Sequence, residues 1–451
     1  MISSAFLVIG GGESGICTAL KLAKLNHKVT LIEENEIGGS WLYSLEYPFG
    51  LWSKFAKYKN LESKKNLTEI NDEERLYLNE EIAKVNAEIQ AKMDSKQKEI
   101  IRDLKKYNVD IIYGKANFIS KSLVEVNSEN YHEIINFKDL IICTGNNQIN
   151  MPDLAGIDQV NFLYQHNIFS IKEIPKSLVI IGCTLFNLEI AHIYSSLGCK
   201  VEIIEAKSLQ QILRFFDYTC LNWAFKELLS KGVLFSFESK IVKIANHNTR
   251  VKLLDNNKKT FLTDQIFIFA KENFEGDRLG LGKIGIKFDK NGIVTSQNGQ
   301  TIQRNIYAIG NCAQNYNKNN LQLVINGFLE KFSPSEDKKS NSLVIFGSNM
   351  ERKNIVIHTI NFDNPIVNLG MSYLEAETRW GAVIHFEIYK SFFDSGFVKL
   401  IFNSVNGQAL GIGLTGQIAA EFLLAMKVFL SKSASVKEIK TFLVNNRLNC
   451  E

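Results

Sequence analysis

Residues 5–15 read Ala-Phe-Leu-Val-Ile-Gly-Gly-Gly-Glu-Ser-Gly, a short apolar run that ends in a cluster of glycines. The apolar run predicts a buried strand, and the apolar residues that follow as far as Leu25 recur at helical spacing. A second apolar strand is predicted from Lys28 to Glu33. The order strand, helix, strand predicts a βαβ unit, which is the building block of a parallel sheet.

The glycines at this junction follow the pattern G-x-G-x-x-G, formed by Gly10, Gly12 and Gly15. Glycine permits a tight turn, a close approach of the backbone to a pyrophosphate, and close packing of the helix against the strand. The N-terminus of the helix then faces the phosphates. Glu33 closes the second strand, where a carboxylate can bind the ribose hydroxyls of an adenosine. Together these residues predict a dinucleotide-binding turn.

The same arrangement occurs a second time along the chain. Residues 177–182, Ser-Leu-Val-Ile-Ile-Gly, predict a strand that ends in glycine, followed by a helix near residues 186–197 and a strand at residues 201–205. A further apolar strand is predicted at residues 305–310, Asn-Ile-Tyr-Ala-Ile-Gly. Between the two βαβ units, from about Trp52 to Tyr107, charged residues and apolar residues at helical spacing predict long amphipathic helices.

The last part of the chain has a different pattern. Residues 332–354 are polar and predict a linker. After them, strands are predicted near residues 355–360, 383–389 and 397–403, with a helix near residues 417–430. Strands and helices in this order indicate an α+β region.

The composition excludes several classes of function. The 451 residues include 52 Lys and Arg and 48 Asp and Glu, and the net charge of +4 is too small and dispersed to indicate a nucleic-acid partner. No run of ~20 apolar residues and no signal peptide are found, so we expect a soluble cytoplasmic protein. The seven cysteines form no C-x-x-C, no C-x4-C and no His/Cys cluster at zinc spacing, so we expect reduced thiols and no metal site.

Four segments carry a resemblance to a known family. In chain order they are Gly38-Gly39-Ser40, Cys143-Thr144-Gly145, Val179-Ile-Ile-Gly182 and Tyr307-Ala-Ile-Gly310. Because these segments occur in this order, the chain resembles the pyridine nucleotide-disulfide oxidoreductases, such as dihydrolipoamide dehydrogenase and glutathione reductase. The resemblance extends over essentially the whole chain. The resemblance implies an α/β fold with two Rossmann-like dinucleotide-binding domains and a C-terminal α+β dimerisation domain, and hence a homodimer.

The resemblance also implies a division of the chain and a set of cofactor contacts. An FAD-binding domain would comprise residues 1–150 and 271–340, an NAD(P)-binding-like domain residues 151–270, and an interface domain residues 341–451. The residues implied to bind FAD are Gly10, Gly12, Gly15, Glu33, Gly38, Gly39, Ser40, Thr144, Gly145, Gly310 and Asn311. The family usually has Asp at the position of Asn311, and a neutral amide oxygen makes a weaker hydrogen bond than a carboxylate.

The chemical groups of the family are missing at the matching positions. In the family a C-x4-C pair relays electrons to a disulfide, and a thiolate must attack and leave in that exchange. The two cysteine positions are Trp41 and Glu46 in this chain. At the C-terminus the position of the family's catalytic His is Asn446, which cannot serve as a base, and Glu451 has no His to orient. None of the family's catalytic residues is therefore expected to be retained.

The second glycine loop is only partly preserved, because its three glycine positions are Gly182, Thr184 and Asn187. We expect the side chain of Thr184 to intrude where a pyrophosphate would meet the backbone, and Asn187 to crowd the helix against the strand. Glu205, at the end of the strand, would favour NAD over NADP. Glu189 matches the family's acid near the nicotinamide. NAD(H) is thus a possible second cofactor.

Two functions follow from this pattern. The first is an FAD-dependent oxidoreductase that is linked to NADH and passes electrons to an unknown small-molecule acceptor other than a disulfide. The second is a catalytically degenerate FAD-binding dimer that acts as a structural or binding subunit. Trp41 also invites a comparison with flavin monooxygenases, whose turn often reads G-G-x-W. The F-x-G-x-x-x-H signature of those enzymes is absent between residues 145 and 182, so we rank this alternative lower.

Overall fold

A computed structural model describes residues 2–44, 46–62, 71–129, 131–146, 148–150, 152–212, 216–314, 321–332, 357–391 and 396–450. The chain divides into two compact units. The first unit comprises Met1–Gly50, Val85–Met151 and Ala270–Ser348, and the second comprises Leu51–Lys84, Pro152–Phe269 and Asn349–Glu451. The four-part division predicted from the sequence remains a prediction.

The α-helices of the described residues are numbered in chain order. They are α1 Glu13–Lys24, α2 Gly39–Tyr43, α3 Glu46–Glu62, α4 Asp72–Lys106, α5 Leu185–Ser196, α6 Leu209–Ile212, α7 Tyr218–Ser230, α8 Leu321–Leu329, α9 Tyr373–Trp380, α10 Gln417–Ser431 and α11 Val436–Asn445.

The strands are numbered in the same way. The first half of the chain contains β1 Ile2–Ile9, β2 Val29–Glu33, β3 Asp110–Tyr113, β4 Lys115–Phe118, β5 Leu123–Ser128, β6 Tyr131–Ile142, β7 Gln148–Asn150, β8 Ser177–Ile181, β9 Lys200–Ile204 and β10 Leu234–Ser236. The second half contains β11 Ile241–His247, β12 Arg250–Asp255, β13 Thr260–Thr263, β14 Gln265–Ile268, β15 Lys271–Asn273, β16 Phe288–Asp289, β17 Gly292–Ile293, β18 Ile306–Ala308, β19 Ile357–Ile360, β20 Ile366–Gly370, β21 Ile384–Ser391, β22 Phe397–Asn403, β23 Gln408–Leu414 and β24 Leu448–Cys450.

The first unit is built on a seven-stranded sheet in which β3, β2, β1, β6, β5 and β4 lie side by side and β18 also pairs with β6. The strands β3, β2, β1, β6 and β18 are parallel. The long strand β6 pairs antiparallel with β5 through residues 131–136 and parallel with β18 through residues 140–142. The parallel part matches the βαβ unit that residues 5–15 predict.

The register of the sheet places three loops at one edge. Ile9, the last residue of β1, pairs with Ile142 at the end of β6, and Ala308 at the end of β18 pairs with the same Ile142. Because the three strands are parallel, the loops that follow them leave the same edge of the sheet. In open α/β sheets, ligands bind in the crevice outside the carboxyl ends of the strands.

The second unit contains a second parallel sheet with the order β10, β9, β8, β14. A three-stranded antiparallel sheet, β11 to β13, belongs to the same unit, and residues of both sheets share one apolar core. This second βαβ unit was predicted from the sequence, with α5 found at Leu185–Ser196 for the helix expected near residues 186–197.

The C-terminal part of the second unit is an antiparallel sheet with the order β19, β20, β23, β22, β21, β24. The apolar faces of α10 and α11 pack against it in one core that includes Met426 and Leu443. Helices packed on an antiparallel sheet in this way are as expected for an α+β layer. The linker predicted at residues 332–354 lies outside the described residues except for Phe332.

Candidate functional site

The first glycine loop has no room for side chains at two of its three glycine positions. Gly10 has a φ of +107°, and a Cβ atom there would lie 2.4 Å from the carbonyl oxygen of Cys143. A Cβ on Gly15 would lie 1.8 Å from the carbonyl oxygen of Gly10. A Cβ on Gly12 would have no described protein atom within 4 Å. Gly10 and Gly15 are thus required by the fold, whereas the backbone at Gly12 is open to a ligand.

The N-terminus of α1 begins in this loop. Its N-cap is Gly12, in extended conformation, and no side chain caps it. The first N–H groups of a helix have no partner within the helix, and together with the helix dipole they attract anions. The loop therefore places an uncapped helix N-terminus where a pyrophosphate could bind.

Glu33 lies directly beside the loop. Its carboxylate accepts a hydrogen bond from the backbone N–H of Gly11, and its other oxygen accepts one from Asn35 N at 2.8 Å. Each carboxylate oxygen has two lone pairs, so both can still accept a bond from a ribose hydroxyl. Glu33 therefore fixes the loop and can bind an adenosine at the same time.

The predicted second turn packs against the first loop. The backbone N–H of Gly38 donates to Gly11 O at 2.8 Å, and a Cβ on Gly39 would lie 3.0 Å from the Cα of Gly12. Both glycines have positive φ, +127° and +57°. Ser40 follows in α2 and is exposed. The structure therefore brings the two glycine turns together, as the resemblance implies.

The residues predicted after β6 and β18 reach the same edge. The Thr144 hydroxyl oxygen is buried and has no hydrogen-bond partner among the described residues, and a Cβ on Gly145 would meet no atom within 4 Å. A Cβ on Gly310 would lie 2.4 Å from the hydroxyl oxygen of Ser14 in α1. Asn311 is exposed. An unsatisfied buried hydroxyl and a glycine-lined opening at a helix N-terminus fit a bound dinucleotide such as FAD.

The second loop repeats the first almost bond for bond. Gly10 N donates to Ile32 O at 2.8 Å, and Gly182 N donates to Ile204 O at 2.8 Å. The carboxylate of Glu205 accepts from Cys183 N at 2.7 Å and from Lys207 N at 2.9 Å, as Glu33 accepts from Gly11 and Asn35. Glu205 therefore lies at the end of the strand, as predicted from the sequence, and it makes the same hydrogen bonds to its own turn as Glu33 does.

The two loops differ at the start of the helix. Thr184 is the N-cap of α5, and its hydroxyl oxygen accepts a bond from Asn187 N at 3.2 Å while donating to Asn187 Oδ1 at 2.8 Å. The side-chain amide of Asn187 donates to Gly182 O at 2.8 Å and Ile181 O at 3.2 Å. These bonds hold the buried amide of Asn187, and the expectation that Asn187 crowds the helix against the strand stays a prediction. The N-terminus of α5 is capped by its own loop.

Glu189 lies two residues after Asn187 in α5 and is 6% exposed. One of its carboxylate oxygens accepts two bonds from Asn361, at 2.6 Å from the backbone N and at 2.8 Å from the side-chain amide. Burial raises the pKa of Glu189 to about 7, and the two bonds from Asn361 oppose that shift. Glu189 can therefore gain or lose a proton near neutral pH.

Asn361 could not be found from the sequence, because it lies 172 residues away from Glu189 in the chain. Asparagine in a polar stretch ahead of a strand is common, and no spacing connects it with α5. Only the packing of the second unit shows that it serves Glu189.

The positions of the family's reactive groups are occupied by other side chains. Trp41 lies on α2, and its ring centroid is 6.0 Å from that of Tyr47. Glu46 is the first residue of α3. Asn446 caps its own helix, since its side-chain amide donates to Phe442 O at 2.8 Å. Glu451 lies outside the described residues.

The cysteines, all of which lie in the described part of the chain, form no disulfide. Burial raises the pKa of Cys183 and of Cys312 to about 12, and burial also raises the pKa values of Cys143, Cys199 and Cys220. A thiol with a raised pKa stays protonated at neutral pH, and the protonated form is a poor nucleophile. These five thiols are therefore unsuited to disulfide exchange.

Comparison with known proteins shows which family the chain is similar to. Residues 4–330 match the model of the family described as pyridine nucleotide-disulphide oxidoreductase. The chain is 26% identical over 458 residues to the dihydrolipoyl dehydrogenase of Bacillus subtilis (strain 168), covering 97% of this chain and 92% of that protein. It is 27% identical over 469 residues to the dihydrolipoyl dehydrogenase of Buchnera aphidicola subsp. Schizaphis graminum, covering 97% and 91%.

Solved structures share the fold. The Cu(II) complex of the HOCl-induced flavoprotein disulfide reductase RclA from Escherichia coli matches with a TM-score of 0.78 and 20% identity, covering 96% of this chain and 94% of that one. LpdA from Mycobacterium tuberculosis matches with a TM-score of 0.78 and 16% identity, covering 96% and 95%.

The family match covers both glycine loops, and the two dihydrolipoyl dehydrogenases are similar over 97% of this chain. Members of the matching family bind FAD and NAD(H). Among the described residues, no helix combines the length and the apolar character needed to cross a membrane. The chain belongs to the pyridine nucleotide-disulphide oxidoreductase family.

Proposed function

We propose that this chain is an FAD-dependent oxidoreductase that takes electrons from NADH and passes them to an acceptor other than a disulfide. The observation that carries the proposal is the turn at Gly38 and Gly39. It packs against the first glycine loop and continues into Trp41, where the family has the first cysteine of its relay. An indole cannot exchange a disulfide.

The first unit would hold the cofactor. The N–H groups at the start of α1 and the Gly12 backbone would bind the pyrophosphate, and Glu33 would bind the ribose. Thr144 would satisfy its buried hydroxyl on the same ligand. Bound FAD supplies two-electron chemistry that needs no thiol, and the protein contributes orientation and exclusion of water.

The second unit would supply the nicotinamide side. Glu205 supports NADH rather than NADPH, because a carboxylate at the strand end binds ribose hydroxyls and repels a 2′-phosphate. Glu189 can hold or release a proton near neutral pH, as the pKa of about 7 indicates.

The test is a visible spectrum followed by turnover. We expect the purified protein to be yellow and to bleach when NADH is added without oxygen. With NADH in excess, a quinone or ferricyanide should be reduced, whereas lipoamide and oxidised glutathione should not. Disulfide reduction at a rate similar to that of quinone would contradict the proposal. A colourless protein that takes up no added FAD would exclude the flavin assignment altogether.

A second candidate is favoured by one observation. The N-terminus of α1 is uncapped, whereas that of α5 is capped by Thr184. A chain that keeps its flavin site and closes its nicotinamide site can serve as a binding or structural subunit, with FAD stabilising the fold by mass action. In that case the yellow protein would stay yellow with NADH.

We also propose that the chain forms a homodimer. Two exposed apolar side chains lie four residues apart on α10, and therefore on the same side of the helix: Leu424 at 74% and Val428 at 42% exposure. Exposed apolar side chains on one side of a helix favour an interface there. Gel filtration that shows only monomer at micromolar concentration would contradict the dimer. The cytoplasmic location stays a prediction of the sequence.

A further inference from the structure

Three potential metal ligands from distant parts of the chain meet in the second unit. His192 lies on α5, Glu227 on α7, and Asp363 in the loop between β19 and β20. His192 Nε2 is 3.0 Å from Glu227 Oε1 and 3.8 Å from Asp363 Oδ2, and all three ligand atoms lie within 4.8 Å of one another. Ligands at about 2.0–2.2 Å from a tetrahedral Zn²⁺ are about 3.4 Å apart, so the cluster requires little movement to close around an ion.

The imidazole is held in place before any ion binds. The side chain of His192 is 3% exposed, and its ring stacks on Phe362 with centroids 4.4 Å apart and an interplanar angle of 12°. The carboxylates of Glu227 and Asp363 are more accessible, each 21% exposed. A buried nitrogen with two partly exposed oxygens leaves a side of the cluster open for an ion to enter and for water to complete its coordination.

The imidazole faces two carboxylates. The ammonium group of Lys231 is the cation beside them, with its Nζ 3.9 Å from Asp363 Oδ2. Burial lowers the pKa of Lys231, although Asp363 and Glu227 oppose the shift. Two side chains of α3 also donate to Asp363. Lys57 Nζ donates to the Asp363 carbonyl oxygen at 2.6 Å, and Asn60 Nδ2 donates to Asp363 Oδ2 at 2.7 Å. Lys231 is thus the cation that an incoming metal ion would displace.

We propose that His192, Glu227 and Asp363 bind one divalent transition-metal ion, with Zn²⁺ the best fit to an imidazole and two carboxylates. Imidazole favours Zn²⁺, Cu²⁺ and Ni²⁺, whereas the carboxylates alone would favour Mg²⁺ or Ca²⁺. No ligand spacing in the sequence indicates the site, because 35 residues separate His192 from Glu227 and Asp363 lies farther still along the chain.

A metal ion bound here would affect the position of Asn361, the residue that binds Glu189. Asp363 is two residues from Asn361, which holds Glu189, and Phe362 between them stacks on His192. Binding of the ion would fix this three-residue segment against α5 and α7. The ion is structural in this proposal, and it keeps Asn361 in position to bind Glu189.

The test is Zn²⁺ binding by the full chain after treatment with a chelator, measured by equilibrium dialysis. Exposed Cys450 is replaced by Ser in every sample, so that it cannot bind the metal. We expect one equivalent of Zn²⁺ to bind. His192→Ala and the milder Glu227→Gln should each weaken binding by about 100-fold, since even changes outside the ligand set cost about 10–100-fold. Lys231→Met, which removes the competing ammonium, should tighten it.

His358→Ala is the matched control, because His358 is a partly buried imidazole of the same unit outside the cluster. It should bind Zn²⁺ as the parent does. The parent should also unfold at a higher temperature with Zn²⁺, by mass action, and Glu227→Gln should not. Absence of a saturable equivalent in the parent, or equal affinities of Glu227→Gln and His358→Ala, would show that the three side chains form only an ion network.

Discussion

Asn361 donates both its backbone N–H and its side-chain amide to one carboxylate oxygen of Glu189, at 2.6 and 2.8 Å. Burial raises the pKa of this carboxyl, and the two hydrogen bonds from Asn361 oppose that shift because they favour the ionised form. The two bonds therefore limit how far the pKa of Glu189 rises.

The first prediction concerns stability against pH. The pKa of Glu189 is about 7 in the folded state, above the ordinary value of 4.5. Its contribution to stability is therefore complete at pH values below 4.5 and is lost as the pH rises through 7. The loss is on the order of 3 kcal/mol. Urea unfolding from pH 4.5 to 8 should show this fall in the parent, and Glu189→Gln should lack it.

Glu421→Gln, an exposed carboxyl on α10, is the control and should behave as the parent does. Asn361→Ala should raise the pKa of Glu189 further, because one hydrogen bond to the ionised carboxylate is lost. The loss of stability should then extend to higher pH. Identical pH profiles for the parent and Glu189→Gln would contradict the assignment.

The second prediction concerns flavin binding. A methyl group at Gly12 would meet no described protein atom within 4 Å, so Gly12→Ala should fold normally. The methyl group would nevertheless occupy the space where a pyrophosphate approaches the backbone. We expect the FAD affinity to fall by about tenfold or more.

Gly282→Ala is the matched control, since a Cβ there also meets nothing within 4 Å and the residue lies away from the glycine loop in sequence. Its FAD content should equal that of the parent. If Gly12→Ala retains FAD as tightly as Gly282→Ala, then the loop does not bind the phosphates.

The third prediction concerns the cap on α5. Replacing Thr184 and Asn187 together by Gly removes the bonds that occupy the start of the helix and restores the pattern of the first loop. We expect NADH to bind at least about tenfold more tightly, as free N–H groups become available to the phosphates. Calorimetric titration measures the change, and stability should fall by about 1–3 kcal/mol because buried bonds are lost.

The fourth prediction concerns a buried ion pair. Lys399 Nζ lies 2.9 Å from Asp217 Oδ2, with side-chain exposures of 4% and 0%. Lys399→Met would leave the Asp217 charge buried and should cost about 3–5 kcal/mol of unfolding free energy. The additional change Asp217→Asn should recover part of it. Lys92→Met, in an exposed pair with Glu88, should cost less than about 0.5 kcal/mol.

The sequence predicted what depends on local pattern. The strand at residues 177–182 and the helix near residues 186–197 follow from apolar periodicity and glycine placement, and the structure has β8 and α5 there. The pairing of Lys399 with Asp217 could not be predicted, because 182 residues separate them and nothing local requires either. The bonding of Asn187 could not be predicted either, since a polar residue at a glycine position suggests crowding until its partners are known.

The two glycine loops share the same hydrogen bonds to an acidic residue at the strand end, so that residue alone does not show that a nucleotide is bound. Glu33 and Glu205 each clamp the N–H groups of their own turn. A carboxylate that fastens the backbone stabilises the turn whether or not a nucleotide is bound. An acid at this position therefore bears on which nucleotide a loop prefers, while the uncapped or capped start of the next helix is the better indicator of whether the loop is occupied.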